Sequence, residues 1–348
     1  MTKKVNVGGV LIGGGESVKI QSMCTTRTGD VEKTAAQISA LEKAGCEIIR
    51  VSILGEADAR ALKEIKNSIK IPLVADIHFS ADLAVLAIEN GADKVRVNPG
   101  NIGGESNIKR VADCIKAHKI PVRVGANTGS VEKIYLEKYG KNEFSLVESA
   151  LSSAQLLEKY GVNDIVISVK ASSVPLTVKA YKLLASRTDY PLHIGVTEAG
   201  TEEMAVVKSS AALGALLLDG IGDTLRVSIT DDPVKEIIAA KRLLRAVGLD
   251  KNFVNVISCP TCGRCLWDSM SLAKKVTALT ESANKPLKVA VMGCVVNGPG
   301  EAKDCDIGIA GAEDYCVIFK NGEIMRKIPV QDAETELLKE ISKLLNDR

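Results

Sequence analysis

Aromatic side chains are scarce in this 348-residue chain: four Phe, six Tyr and one Trp amount to 3%. A surface that binds nucleic acid by stacking bases needs more of them. A net charge of +2 offers no global field for a polyanion or a membrane surface. No apolar run reaches the ~20 residues that span a bilayer. The opening residues, MTKKVNVGGV, lack the apolar stretch of an export signal, so a cytoplasmic protein is expected. In that reducing compartment the nine cysteines are expected as free thiols or metal ligands rather than disulfides. Nucleic acid and membrane are therefore not expected partners. What remains is an ordinary globular composition, 46% hydrophobic and 25% charged, able to build a sizeable core.

Short β-branched runs alternate with amphipathic segments at intervals of about 25 residues. The predicted strands are VKIQSM (18–23), IIRVS (48–52), LVADI (73–77), KVRVN (94–98), VRVG (122–125), IVISVK (165–170), LHIGV (192–196) and TLRVS (224–228). Such strand–helix alternation implies parallel pairing, and eight units close a (β/α)8 TIM barrel. An open doubly wound sheet would carry a Gly-rich fingerprint after its first strand, where this chain has QSMCTTRTGD. VNVGG and VLIGGG, ahead of the first strand, read as a hairpin at the barrel floor. The barrel is expected over residues 1–248 and a smaller α/β domain over 253–348. The latter is read from FVNVIS, KVAVMG, DIGIAG, the hairpin YCVIFKNGEIMRKIPV, a helix from about Leu266 and a terminal helix.

Strand side chains alternate, so residues i and i+2 share a face. Arg50 falls with Ser52, Asp76 with His78, Arg96 with Asn98, Ser168 with Lys170 and Arg226 with Ser228; Arg123 and His193 sit on the corresponding face of their strands. Their neighbours Val51, Val95, Val97, Val169 and Val227 suit the layer beneath the helices. Barrel interiors are mostly apolar, and unpaired buried cations cost several kcal/mol each. Four arginines and Lys170 against Asp76 therefore predict an anionic, phosphorylated ligand that guanidinium forks can hold. Lys170 is also a candidate Schiff-base lysine, and Glu198, in GVTEAG, a candidate proton donor.

SCPTCGRC places Cys259, Cys262 and Cys265 close together, and MGCVVNGPGEAKDC adds Cys294 and Cys305. A four-cysteine zinc site would take Cys259, Cys262, Cys294 and Cys305, although such sites usually show two C-x2-C pairs. The competing reading is a [4Fe–4S] cluster on three thiolates with one replaceable ligand. Cys24, Cys46, Cys114 and Cys316 read as structural.

The segments VADIHF, KVRVNPGNIG, VRVGANTGS, HIGVTEAG, SCPTCGR and MGCVVNGPGE resemble the 4-hydroxy-3-methylbut-2-enyl diphosphate synthases, in their bacterial two-domain form. The resemblance runs almost end to end. It implies a TIM barrel followed by a sulfite-reductase-like iron–sulfur domain. The implied reaction is reductive ring opening of 2-C-methyl-D-erythritol 2,4-cyclodiphosphate, with flavodoxin or ferredoxin as electron donor. The family's cluster ligands fall on Cys259, Cys262, Cys294 and Glu301, and its acid on Glu198. Its substrate-binding positions fall on Arg50, Asp76, His78, Arg96, Arg123, Asn127, Lys170, His193, Arg226 and Ser228. A head-to-tail homodimer is implied as well. Ala126 and Thr128 depart from the family's phosphate loop, and Cys265 is a thiol its motif does not require. The competing function is a phospho-sugar aldolase using Lys170, with a zinc-stabilised appendage.

Overall fold

The chain enters through an antiparallel hairpin, β1 (Val5–Val7) and β2 (Val10–Ile12), paired from Val5–Ile12 to Val7–Val10. The structure, a computed structural model, describes residues 1–296 and 298–346. It divides into the units Met1–Leu249 and Asp250–Arg348.

In the first unit, strands and helices alternate. They are β3 (Lys19–Met23), α1 (Val31–Ala44), β4 (Ile48–Ile53), α2 (Glu56–Ser68), β5 (Leu73–Ile77), α3 (Ala81–Glu89), β6 (Lys94–Arg96), α4 (Glu105–His118) and β7 (Val122–Asn127). Next come α5 (Lys133–Tyr139), α6 (Glu143–Glu158), β8 (Ile165–Lys170), α7 (Val174–Ala185), β9 (His193–Gly195), α8 (Glu202–Leu218), β10 (Thr224–Arg226) and α9 (Pro233–Ala246). The strands β3–β10 form one parallel eight-stranded sheet in the order 8-7-6-5-4-3-10-9. A parallel bridge from Ile167 to Leu192 brings its two ends together, so the barrel closes.

Local chemistry starts the helices where the alternation requires them. Side chains of Asp30, Ser80, Ser173 and Asp232 accept N-terminal N–H bonds, and Asn142 with Ser145 forms a reciprocal cap on α6. The α5 helix has no counterpart in the sequence reading. None of its residues is buried, so it leaves no amphipathic signature.

The outward-facing strand residues Ile20, Ile49, Val51, Val95 and Val169, with Val227 just past β10, join the main core between sheet and helices. At the barrel floor, Val5, Val7 and Ile12 of the hairpin pack against Ile48, Val74 and Val166.

The second unit has β11 (Val254–Ser258), α10 (Ser269–Thr280), β12 (Leu287–Met292), α11 (Gly298–Glu301), β13 (Ile307–Gly311), β14 (Tyr315–Lys320), β15 (Glu323–Pro329) and α12 (Ala333–Asn346). Its sheet runs 11-12-13-14-15, parallel through β13 and antiparallel after it. Val276, Val289, Ile309, Ile318 and Leu337 fill its core. The α10 helix starts at Ser269, later than the expected Leu266. A turn from the Cys262 carbonyl to the Cys265 N–H comes first, and the Asp268 carboxylate then caps the helix at Ser271. Among the described residues no helix is long and apolar enough to cross a membrane.

Candidate active site

Nine of the ten residues expected to bind substrate line one cavity of about 170 Å³ at the C-terminal ends of the barrel strands: Arg50, Asp76, His78, Arg96, Arg123, Asn127, Lys170, Arg226 and Ser228. Gly125, Ala126, Ser168 and Thr197 complete the lining. The tenth, His193, is fully buried and supports the cavity rather than lining it. Its Nε2 lies 3.2 Å from Lys170 Nζ and its Nδ1 2.8 Å from Thr224 Oγ1. A larger groove of about 650 Å³ lies outside the barrel between α8 and α9, away from these residues.

The parallel register explains why these side chains meet. Ser52 is level with Asp76, Asp76 with Arg96, Arg96 with Arg123, and Asn127 with Lys170. Asp76 is the hub of one half. Its carboxylate lies 3.2 Å from Arg96, 3.5 Å from Arg50 and 3.9 Å from His78. Burial alone would raise its pKa, but Arg50, Arg96 and Arg123 hold it below the ordinary value.

Sequence reasoning missed two buried ionisable groups that stand behind the lining. Glu236 of α9 is buried and takes Arg226 in a two-pronged contact of 2.9 and 3.0 Å, while also accepting from Ser22 Oγ at 2.8 Å and the Ile229 N–H at 3.2 Å. The single strand carboxylate read from the sequence is therefore joined by one from a helix, and Arg226 is paired. No sequence signal marks Glu236, because its partner comes from another element. Lys94 is the second omission: it shares a face with Arg96, two residues on, and parity would have found it.

Positive charge still predominates. Arg123 Nε and Nη1 and Lys94 Nζ are buried without a hydrogen-bond partner among the described residues. Burial, reinforced by neighbouring cations, pushes the pKa values of Arg123, Lys170 and His193 well below their ordinary values and that of Arg50 down to about 10. The His193 ring is consequently neutral. In the tautomer whose Nδ1–H donates to Thr224, Nε2 is free to accept from Lys170. An anion in the cavity would meet donors already aimed at it.

Glu198 does not join the cavity lining. It is exposed and sits just beyond β9 with φ 53, a left-handed backbone uncommon outside glycine.

In the second unit, Cys259 and Cys294 follow the parallel neighbours β11 and β12, so both leave the same edge of the sheet. Cys259 Sγ accepts the Gly293 N–H at 3.1 Å. A Cβ on Gly293 would lie 2.9 Å from Cys265 Sγ and 3.5 Å from Cys259 Sγ, so only glycine leaves room for both thiols. Cys262 is exposed, and the backbone N–H and side chain of Arg264 lower its pKa. Cys265 Sγ is 3.2 Å from both the Trp267 carbonyl and Ser269 Oγ. Among the described residues no group of three His, Cys, Asp or Glu is drawn together around a metal position.

Cys305 is buried ahead of β13, whose Ile307 pairs with Val289 in the middle of β12. Cys294 lies beyond the far end of β12, so roughly 15 Å of strand separates their levels. The zinc reading that joins these two cysteines is not supported by this arrangement. Glu301 ends α11, but its side chain lies outside the described residues, as does Asn297.

A family model described as the GcpE TIM-barrel domain matches residues 2–241, and one described as the GcpE protein C-terminal domain matches residues 255–343. A protein of Caldanaerobacter subterraneus subsp. tengcongensis named 4-hydroxy-3-methylbut-2-en-1-yl diphosphate synthase (flavodoxin) is 55% identical over 348 residues, which is 100% of this chain and 98% of that one. One of the same name from Ruminiclostridium cellulolyticum is 52% identical over 99% of this chain and 98% of its own length. A solved dihydropteroate synthase from Yersinia pestis, in complex with a sulfonamide drug, superposes with a TM-score of 0.52 at 12% identity. The match covers 71% of this chain and 99% of that one, a likeness of fold alone.

Proposed function

This chain belongs to the GcpE family of 4-hydroxy-3-methylbut-2-en-1-yl diphosphate synthases, and from that membership we propose how its two units divide the reaction. The enzyme is an oxidoreductase of isoprenoid biosynthesis. It opens 2-C-methyl-D-erythritol 2,4-cyclodiphosphate reductively to (E)-4-hydroxy-3-methylbut-2-enyl diphosphate, using two electrons from flavodoxin and releasing water. Lys170 is accordingly a ligand-binding residue and not an aldolase's Schiff-base lysine.

The excess of buried positive charge around one small cavity carries the assignment of the barrel as diphosphate site. Arg123 offers two unengaged N–H groups, and Lys170 is steered by His193. Asp76 fixes Arg50 and Arg96 and offsets the repulsion between them; Glu236 fixes Arg226. His78, Asn127 and Ser228 supply polar contacts around the ring. Glu198 stands at the barrel mouth as the proton donor, its left-handed backbone the kind of strain found at functional positions.

The second unit would hold a [4Fe–4S] cluster on Cys259, Cys262, Cys294 and Glu301. Soft thiolates suit iron–sulfur clusters, the Gly293 N–H donates to the Cys259 sulfur, and Cys262 is predisposed to the thiolate. When bound, the cluster supplies electrons one at a time together with a Lewis-acidic iron. Ferredoxin is the alternative donor, and the cytoplasm the expected compartment.

We place the cluster that serves each barrel in a second copy of the chain, in a head-to-tail homodimer. The α9 helix returns the chain to the barrel face opposite the cavity, and the second unit starts within a few residues of its end. Mixing an Arg123→Leu chain with a Cys294→Ser chain should restore one intact composite site per heterodimer and recover turnover. Heterodimers shown to form but inactive would refute this arrangement.

Gly195 tests the lysine's placement. A Cβ there would lie 2.8 Å from Lys170 Nζ and 2.9 Å from the Arg226 carbonyl. Gly195→Ala should displace Lys170 from His193 and lower kcat/KM by roughly 10- to 100-fold, with iron and sulfide content unchanged. Wild-type kinetics would show that Lys170 need not occupy this position.

A further inference from the structure

Lys94 has no part in the scheme above. It opens β6 two residues before Arg96, so it faces the barrel axis one layer deeper. The side chain is completely buried, and Nζ has no hydrogen-bond partner among the described residues. A lysine near a surface would run its amine out to water; this one is enclosed.

Its surroundings disfavour a charge. Arg50 on β4, Arg96 on its own strand, Arg123 on β7 and Lys170 on β8 are all basic groups, and Arg123 and Arg50 act on it most. Asp76 on β5 is already engaged by Arg50 and Arg96. His193 on β9 is neutral and faces Lys170 and Thr224. Burial, followed by Arg123 and Arg50, brings the pKa of Lys94 down to about 7. An unpaired buried amine costs stability, and such a cost persists where function uses the group.

We propose that Lys94 is a proton-linked anchor for the substrate's charge: a neutral amine in the empty barrel, it takes a proton from solvent as the dianionic cyclic diphosphate enters and returns it when the diphosphate leaves. The inference rests on the barrel being the diphosphate site. Each phosphorus of the ligand carries a diester-like oxygen that stays ionised near neutrality, so the ligand exchanges no proton itself. Above about pH 7 the empty amine must find a proton, so affinity falls as pH rises until the bound-state pKa is passed.

Calorimetric titration tests this, using the full-length holoenzyme without reductant and 2-C-methyl-D-erythritol 2,4-cyclodiphosphate. Paired buffers of different ionisation enthalpy, at about pH 8, count the protons taken up. Wild type should take up close to one proton more per site than Lys94→Met. The variant should bind about tenfold more weakly and yet unfold at a higher temperature, because methionine fills similar space without an unpaired buried amine. Should Lys94→Met fail to fold, Lys94→Gln gives the same comparison. The wild-type Kd alone should also rise by about one decade per pH unit in this window. Equal proton uptake in wild type and variant overturns the proposal, as does a destabilised variant of unchanged affinity. Failure of the wild type to bind the cyclic diphosphate overturns the barrel assignment and this inference with it.

Discussion

Cys294→Ser should strip the protein of cluster iron, sulfide and turnover together, while Cys305→Ser should keep all three. The contrast is topological. Cys294 leaves the edge of the sheet from which Cys259 also departs, whereas Cys305 sits before β13, near the opposite edge, enclosed with Phe319 and Ala302. Burial raises the Cys305 thiol above its ordinary pKa, which disfavours the thiolate that iron requires. Cys259→Ser and Cys262→Ser should behave as Cys294→Ser does, and Cys265→Ser should remain loaded and active. Glu301→Ala should alter the spectrum of one iron and cripple turnover even where part of the cluster survives. Iron and acid-labile sulfide analysis of anaerobically purified variants decides. A Cys305→Ser protein that loses its iron while Glu301→Ala keeps a normal spectrum would reverse the assignment.

Arg123→Leu should leave the cluster intact and nearly abolish use of the cyclic diphosphate. Removing one partner of a buried charged contact costs ~2–5 kcal/mol, which is roughly 30-fold to several thousandfold in kcat/KM. Arg123→Lys should be a poor rescue, because an ammonium cannot present the paired N–H groups of a guanidinium. The empty protein should not lose stability in either case, since Arg123 Nε and Nη1 are unpaired and their burial is already unfavourable. Steady-state kinetics beside thermal unfolding separates the two effects. Wild-type kcat/KM in Arg123→Leu would take this residue out of the site.

Most of the cavity was legible because a strand has the simplest of periods. Once KVRVN and TLRVS are read as strands, Arg96 and Arg226 must share a face with Asn98 and Ser228, and barrel closure aims that face inward. Lys94 obeyed the same rule and was overlooked as a strand's first residue. Glu236 was beyond reach, for its carboxylate arrives on α9 and meets Arg226 across a loop. The cysteines show the opposite failure. Cys305 stands near Cys294 in sequence, but the β12–β13 register carries the two apart. Spacing along a chain measures how far residues can be from each other, not how near they are.

The hairpin at the barrel floor decides the traffic. With Val5, Val7 and Ile12 sealed against Ile48, Val74 and Val166, the floor is closed among the described residues, and the cavity has its doorway at the C-terminal ends of the strands. Cyclic diphosphate, linear product and expelled water all pass through it, so one diphosphate must depart before the next can enter. A slow-leaving product would therefore idle the enzyme. Product should inhibit competitively against substrate, and the step that clears the doorway is where the rate of the whole cycle can be held.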